Sequence, residues 1–429
     1  MIPSFVPLPL AGVCPPLGAC RISRRLALVL GILMACMTAP AAWAQAAATT
    51  DMLRPPMAAA LQSVQTLLGT GKAQEARLTL RDVEQKVLDR TPYENYLFQR
   101  LKAAAAVALS DDTTAAAATQ EALATGKASV EERRTLLAQL TGFALKLKDN
   151  DAALKWALAH LEAGGTDENV RAALVRAALG KGDCKPAVEQ LAFLIEAAEK
   201  RGEKPAEAQL RAAVACQAKL GNDEGYYLGL ERLLGHHPRK EYWADLIARL
   251  QRRAGFSDRL LLDTFRLMHR VGAMEDADDF MSAAQLAVLA ALPGEARAFL
   301  QAGFEVGVLG KGPGAQAQRD LLARATRESE ADKAQLDESE KQAAAAADGR
   351  RAFQLGQAAL SYGQPDRAVR LMEQGLAKGI SRHSQDARLH LAIALSAVGR
   401  VADARRQFAE LPSQDGLAEL GRLWLIALR

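Results

Sequence analysis

Apolar and polar positions along this chain keep a helical rhythm. In residues 414–429, QDGLAELGRLWLIALR, the large apolar residues Leu417, Leu420 and Trp424 fall on one face, as 3.6 residues per turn requires. In residues 352–379, AFQLGQAALSYGQPDRAVRLMEQGLAKG, two helices are predicted, parted at Gly363. Leu355 and Gly356 belong to the first, Ala368 and Met372 to the second. Two antiparallel helices pack closely only where a small residue sits at their crossing and large ones fill its flanks. A glycine just past a helix supplies the left-handed turn that ends it. Alanine, the best helix former, is abundant throughout, and long stretches hold few β-branched residues, so an all-α chain is expected.

The pattern returns along the chain. Residues 391–408 show Gly399, Ala404 and Phe408, with Ala404 36 residues after Ala368. Residues 171–191 show Gly182, Ala187 and Leu191, and Ala153 lies 34 residues before Ala187. Residues 61–80 show Gly71, Ala76 and Leu80. Residues 284–300 show Ala296 and Leu300, with Ala296 72 residues before Ala368, room for two units. Weaker units are expected at 96–125, 205–235 and 241–270.

Repetition at this interval resembles the tetratricopeptide repeat over roughly residues 55–429, most closely in the last two units. The usual first-helix Trp is missing from most units, and Trp243 is its nearest equivalent. The whole chain is similar to secreted proteobacterial tetratricopeptide proteins of poorly defined role. The resemblance implies an α-solenoid whose first helices line a concave groove that binds peptides through polar residues. The matching positions, counted from the crossing alanines, are Lys146, Asn169, Arg176, Arg350 and Gln357. The alternative for each is an ordinary surface residue. The same layout puts Cys184 at the start of a second helix and Cys216 near the end of the next unit's first helix. Those helices would be antiparallel neighbours, so a disulfide between Cys184 and Cys216 is expected.

The predicted order is a leader (1–44), a short linker (45–54), an N-terminal array (55–240), a divergent helical middle (241–345) and a C-terminal array (346–429). The last array ends in a capping helix expected to cover the open end of the final repeat. The middle holds the stretch GVLGKGPG (307–314) and the mixed-charge run RATRESEADKAQLDESEKQ (324–342), expected as an exposed long helix rather than a linker.

The leader reads as an export signal. Arg21–Arg25 form its basic region, Leu26–Met34 its apolar region, and Ala42-Trp43-Ala44 precedes a cut at Gln45. Three other readings stand beside it. Leu33-Met34-Ala35-Cys36 resembles a lipobox that would acylate Cys36. Ser23-Arg24-Arg25 resembles a twin-arginine signal, with Ala27 where Phe is preferred. An uncleaved inner-membrane anchor over 26–44 is opposed by Pro40. Residues 1–20 precede a normal basic region and fit a start codon placed too far upstream. The formal charge is +4, and the leader holds three arginines and no acid, so the mature chain carries +1 and offers no field to nucleic acid. Cys14, Cys20 and Cys36 leave with the leader. The remaining pair, in an oxidising compartment, also points to one disulfide, against two unrelated buried thiols.

None of His160, His236, His237, His269, His383 and His390 stands in a metal motif. The adjacent His236 and His237 read as an exposed turn rather than a metal site. After Lys311 comes Gly312, where a phosphate loop needs Ser or Thr. Met274–Asp279 (MEDADD) clusters four carboxylates without the glycine of a calcium loop and suits a helix start. No catalytic residue, metal or cofactor is expected. The expected function is a non-enzymatic periplasmic scaffold that binds a peptide or envelope protein, linked to TonB-type or other envelope machinery. One alternative is an envelope enzyme, for example a peptidoglycan hydrolase, with a catalytic middle. Another is a structural outer-membrane lipoprotein. A closed pocket with buried carboxylates in the middle would favour the enzyme.

Overall fold

Hairpins of antiparallel helices stack along the chain, and their start signals explain why. A computed structural model describes residues 51–380 and 384–428. The cleavage site at Ala44 and Gln45, the lipidation candidate Cys36 and His383 lie outside the described residues. Among the described residues all regular structure is helical. The N-terminal hairpins are α1 (Pro55–Gly69) with α2 (Ala73–Lys86), α3 (Pro92–Ala108) with α4 (Asp112–Ala124), α5 (Val130–Lys146) with α6 (Asn150–Glu162), α7 (Glu168–Lys181) with α8 (Cys184–Lys200), and α9 (Glu207–Lys219) with α10 (Asp223–His236). The middle continues with α11 (Lys240–Gln251) and α12 (Leu261–Val271), α13 (Ala277–Leu289) and α14 (Pro293–Glu305), then α15 (Ala315–Ala334) and α16 (Leu336–Ala345). The C-terminal hairpins are α17 (Arg350–Ser361) with α18 (Pro365–Lys378) and α19 (Ser384–Ala397) with α20 (Val401–Ala409), followed by α21 (Leu417–Ala427).

Eight of the second helices, all but α12 and α16, share one opening device. The residue before the N-cap takes the left-handed conformation: Gly71, Ser110, Lys148, Gly182, Gly221, Ala291, Gly363 and Gly399. In α4, α6, α8 and α10 the cap is Asp111, Asp149, Asp183 or Asn222, whose side chain accepts a first-turn N–H. In α14 and α18 a proline at the first turn, Pro293 or Pro365, takes over instead. Four residues after the cap comes the crossing position. It is alanine in α2, α4, α6, α8, α14, α18 and α20, and Ala76, Ala115, Ala153, Ala187, Ala296, Ala368 and Ala404 are all fully buried. Helices α10, α12 and α16 depart from this, with Tyr226, the buried Thr264 and Ser339.

First helices α1 and α3, α5 and α7, and α17 and α19 pack directly on one another. That contact makes the first helices the inner layer of a solenoid. The charged run at 324–342 is helical as expected, but in two pieces that break at Gln335. Arg367 grips the second piece through Asp337 and Glu340, both at 2.6 Å. MEDADD opens α13, where Asp276 caps the helix by accepting from the Asp279 N–H.

The predicted capping helix does more than cover the last repeat. Leu417, Leu420 and Trp424 are buried against the final hairpin, and Trp424 stacks on Phe408 at 5.7 Å. Yet α21 also packs on α10 and α12. Arg422 pairs with Glu231 at 3.1 Å, the Ser257 N–H donates to the Asp415 carbonyl at 3.0 Å, and Arg259 pairs with Asp386 and Asp415. The chain from α10 onward therefore returns on itself and closes.

Candidate functional site

The five groove candidates do not converge on one site. Lys146 is exposed at the end of α5 and pairs with Asp112 of α4 at 2.8 Å. Asn169 is exposed in the first turn of α7, where its backbone N–H donates to Asp167. Arg176, also on α7, is exposed and has no partner among the described residues. These three lie on the adjoining first helices α5 and α7. Arg350 begins α17 and is exposed. Gln357, about two turns later on α17, is half-buried and belongs to a different environment.

That environment is a partly enclosed cavity of about 240 Å³ between the middle and the C-terminal hairpins. Helices α12, α14, α17, α18, α19 and α21 each contribute to its wall. It exists because the chain closes: α12 and α14 come from the middle, and the other four from the C-terminal array. Its polar wall is one connected network. Arg266 donates to both carboxylate oxygens of Glu295 at 2.6 Å and to Asp263 Oδ1 at 2.6 Å. The Gln357 amide donates to His390 Nδ1 at 2.8 Å, which leaves His390 Nε2 to donate to Asp263 Oδ1 at 3.0 Å. Burial alone would raise the Asp263 carboxyl, but His390 and Arg266 outweigh it and hold it at about 2. Burial pushes His269 down, so its imidazole is favoured in the neutral form. It meets Phe299 edge to face at 5.5 Å.

The histidine pair does not converge either. His236 bonds Glu199 at 2.8 Å, and His237 bonds the Pro205 carbonyl at 2.9 Å. The first ties α10 to α8, and the second ties the end of α10 to the connection between α8 and α9. GVLGKGPG is the connection between α14 and α15, and the Gly310 N–H donates to Gln318. Cys184 and Cys216 are buried, with Cα atoms 5.0 Å apart, inside the span a disulfide needs.

Residues 359–423 match the family model of the tetratricopeptide repeat. The chain carries tetratricopeptide repeats. The match runs from the end of α17 into α21, and the earlier hairpins reuse its turn and crossing alanine. No curated protein matches the chain. Among solved structures, a tetratricopeptide repeat protein from Parabacteroides merdae is 12% identical, with 79% of this chain and 98% of that one covered and a TM-score of 0.30. Yeast Tom70 is 10% identical, with 87% and 95% covered and a TM-score of 0.25. The apo form of RapI is 10% identical, with 75% and 97% covered and a TM-score of 0.27. Scores this low carry nothing about a ligand or partner.

Sequence reasoning missed Asp263, Arg266, Glu295, His390 and Trp424. One signal was available. In α12 (LLDTFRLMHRV), Asp263 stands one turn from Leu260 and Leu267, on the apolar stripe, where a charge demands a partner. The partner's identity was not available, because His390 lies 127 residues away.

Proposed function

We propose that this chain is a non-enzymatic scaffold, exported to the periplasm, which binds a peptide or envelope protein along the inner layer of its tetratricopeptide first helices. Repeats of this family serve protein–protein interaction. The observation that carries the reading is the direct packing of successive first helices, which lays the exposed Lys146, Asn169 and Arg176 along one pair of neighbours. Lys146 spends part of its charge on Asp112, so Arg176 is the cation best able to meet an acidic group on the partner. A link to TonB-type or other envelope machinery remains part of the proposal. Export supports a cystine at Cys184 and Cys216, which are adjacent and buried. No helix among the described residues is long and apolar enough to cross a membrane.

The enzyme reading has one observation in its favour, a cavity with buried carboxylates in the middle region. The chemistry argues against it. A general acid needs a carboxyl raised toward neutrality, whereas Asp263 is held at about 2 and Glu295 is gripped on both oxygens by Arg266. A lipoprotein anchored at Cys36 is separated from a soluble form by mass analysis of the mature N-terminus, with Gln45 expected first. The binding claim is tested by crosslinking the exported chain to envelope partners in cells. A partner should be captured by the native chain and lost with Arg176→Glu at unchanged melting temperature. Equal capture by Arg176→Glu counts against this face.

A further inference from the structure

The near-neutral net charge hides a separation of charge between the two layers of the N-terminal array. Past their first turns, the first helices α1, α3, α5, α7 and α9 hold no Asp or Glu. The second helices of the same hairpins do, at Glu84, Glu121, Glu162, Glu196 and Glu231. The acids that open the first helices are already held by arginines: Glu94 by Arg54, Glu131 by Arg134, Glu132 by Arg100, Glu168 by Arg201 and Glu207 by Arg239. On each first helix, the residues 15, 11, 8 and 7 places before the crossing residue form one stripe about 100° wide. Counted in α9 from Tyr226, no residue of that stripe is buried in α3, α5, α7 or α9. Its charged members are all cations: Arg100, Lys146, Arg176, Arg211 and Lys219. Every other member is Ala, Gly, Val or Leu, including the exposed Val107 and Leu179. Arg100 pairs with Glu132 at 3.3 Å, Lys146 pairs with Asp112 at 2.8 Å, and Lys219 donates to the Gly182 carbonyl at 2.9 Å. Arg176 and Arg211 make no hydrogen bond or ion pair among the described residues.

We propose that the partner of this groove is an acidic polypeptide segment, in which Asp or Glu residues are interspersed with apolar ones. Its carboxylates meet Arg176 and Arg211, whose planar guanidinium groups suit two-pronged contact with a carboxylate. Its apolar side chains lie on the floor of Ala, Gly and Leu between them. A basic segment would meet repulsion that no groove carboxylate offsets. A bare polyanion such as a nucleic acid strand fits less well, because two unengaged cations neutralise few phosphates and the apolar floor gives it nothing. The proposal rests on the groove reading and adds to it the chemistry of the partner.

The test selects binders of the full exported chain from a random library of peptides about 12 residues long, which at roughly 3.3 Å per residue cross four helices roughly 8–10 Å apart. Selected peptides should be enriched in Asp and Glu over the unselected library. The best of them, as a free peptide, should bind roughly 10-fold more weakly when Arg176→Gln and Arg211→Gln are combined. Both positions are exposed, so the melting temperature should not change. Raising the salt concentration should weaken the same peptide on the native chain. Gly142→Trp puts a ring into the groove, where a β-carbon meets no neighbouring atom within 4 Å, and should abolish binding of every selected peptide. Should that variant fail to fold, a nitroxide on the peptide decides the location by broadening the Gly142 amide resonance of the native chain. Neutral or basic peptides that are lost with Gly142→Trp overturn the acidic partner and leave the groove reading standing. Acidic peptides that bind Gly142→Trp, or the double arginine variant, as well as the native chain overturn the proposal. So does a thymidine oligonucleotide of the same length that binds more tightly than the best peptide, which marks a general polyanion surface. A selection that returns no binder also overturns it, while crosslinking in cells still tests the groove.

Discussion

Three turn residues carry strain that their counterparts avoid. Ser110, Lys148 and Ala291 are left-handed at the position where five other hairpins place glycine. A side chain in that conformation costs roughly 1–2 kcal/mol, and the greater freedom of an unfolded glycine cancels part of the gain from removing it. Ala291→Gly is therefore expected to stabilise the chain by about 0.5–1 kcal/mol, read from chemical denaturation. Gly182→Ala should do the reverse. A lower midpoint for Ala291→Gly would show that this turn is not strained. At this scale much was legible. The crossing alanines and turn glycines were identified from spacing alone, and the structure buries every one of those alanines. The cavity residues were not, because a lone Asp, His or Gln in a helix gives no sign of which distant helix it will face.

At the scale of the element, the buried alanine decides how near two helices lie. Ala187 has no exposure, so a ring there must force α7 and α8 apart. Ala187→Phe is expected to cost about 1–3 kcal/mol in denaturant melts, whereas a change at the neighbouring exposed Lys185 should cost under about 0.5 kcal/mol. Similar costs at both sites would refute the crossing role. Cys184 and Cys216 join α8 to α9 across a separation of 32 residues. If oxidised as proposed, this link should add roughly 3–4 kcal/mol on the chain-entropy account, an upper figure. Peptide mapping without reductant checks the bond, and free thiols at both positions would refute it. Helix boundaries in the arrays followed from caps and glycines. The break at Gln335 did not, since nothing in the mixed-charge run ends a helix there.

The whole molecule is defined by its return contact. A β-carbon on Gly416 would lie 2.4 Å from the Phe256 ring, and the backbone there is left-handed at φ 87°. Gly416→Val should therefore loosen the closure. Hydrogen exchange should accelerate in α12 and α21 while α1 to α8 stay protected; uniform acceleration would contradict a local closure. The network behind that contact also sets an acid response. Asp263 titrates at about 2 in the folded chain, below its ordinary 3.8. A depressed carboxylate stabilises above its unfolded value, and that share is lost as pH falls from about 4 toward about 2. The share is about 2 kcal/mol. It is measured as the native-minus-Asp263→Asn difference in urea stability, which should shrink across that window. A difference that stays flat across the window would remove the assigned role.

Local sequence was enough to determine the helices, their pairing and the all-α class, because each hairpin is specified within one repeat by a cap, a turn residue and a small crossing residue. It also marked residues 241–345 as the place where the pattern weakens, and there Thr264 stands at a crossing position that holds alanine in seven other hairpins. The closure of the chain, the network that joins Asp263 to His390 and the cavity that holds Trp424 were decided only in three dimensions. Small rotations at each hairpin add up along the solenoid, and their sum determines which distant helices meet.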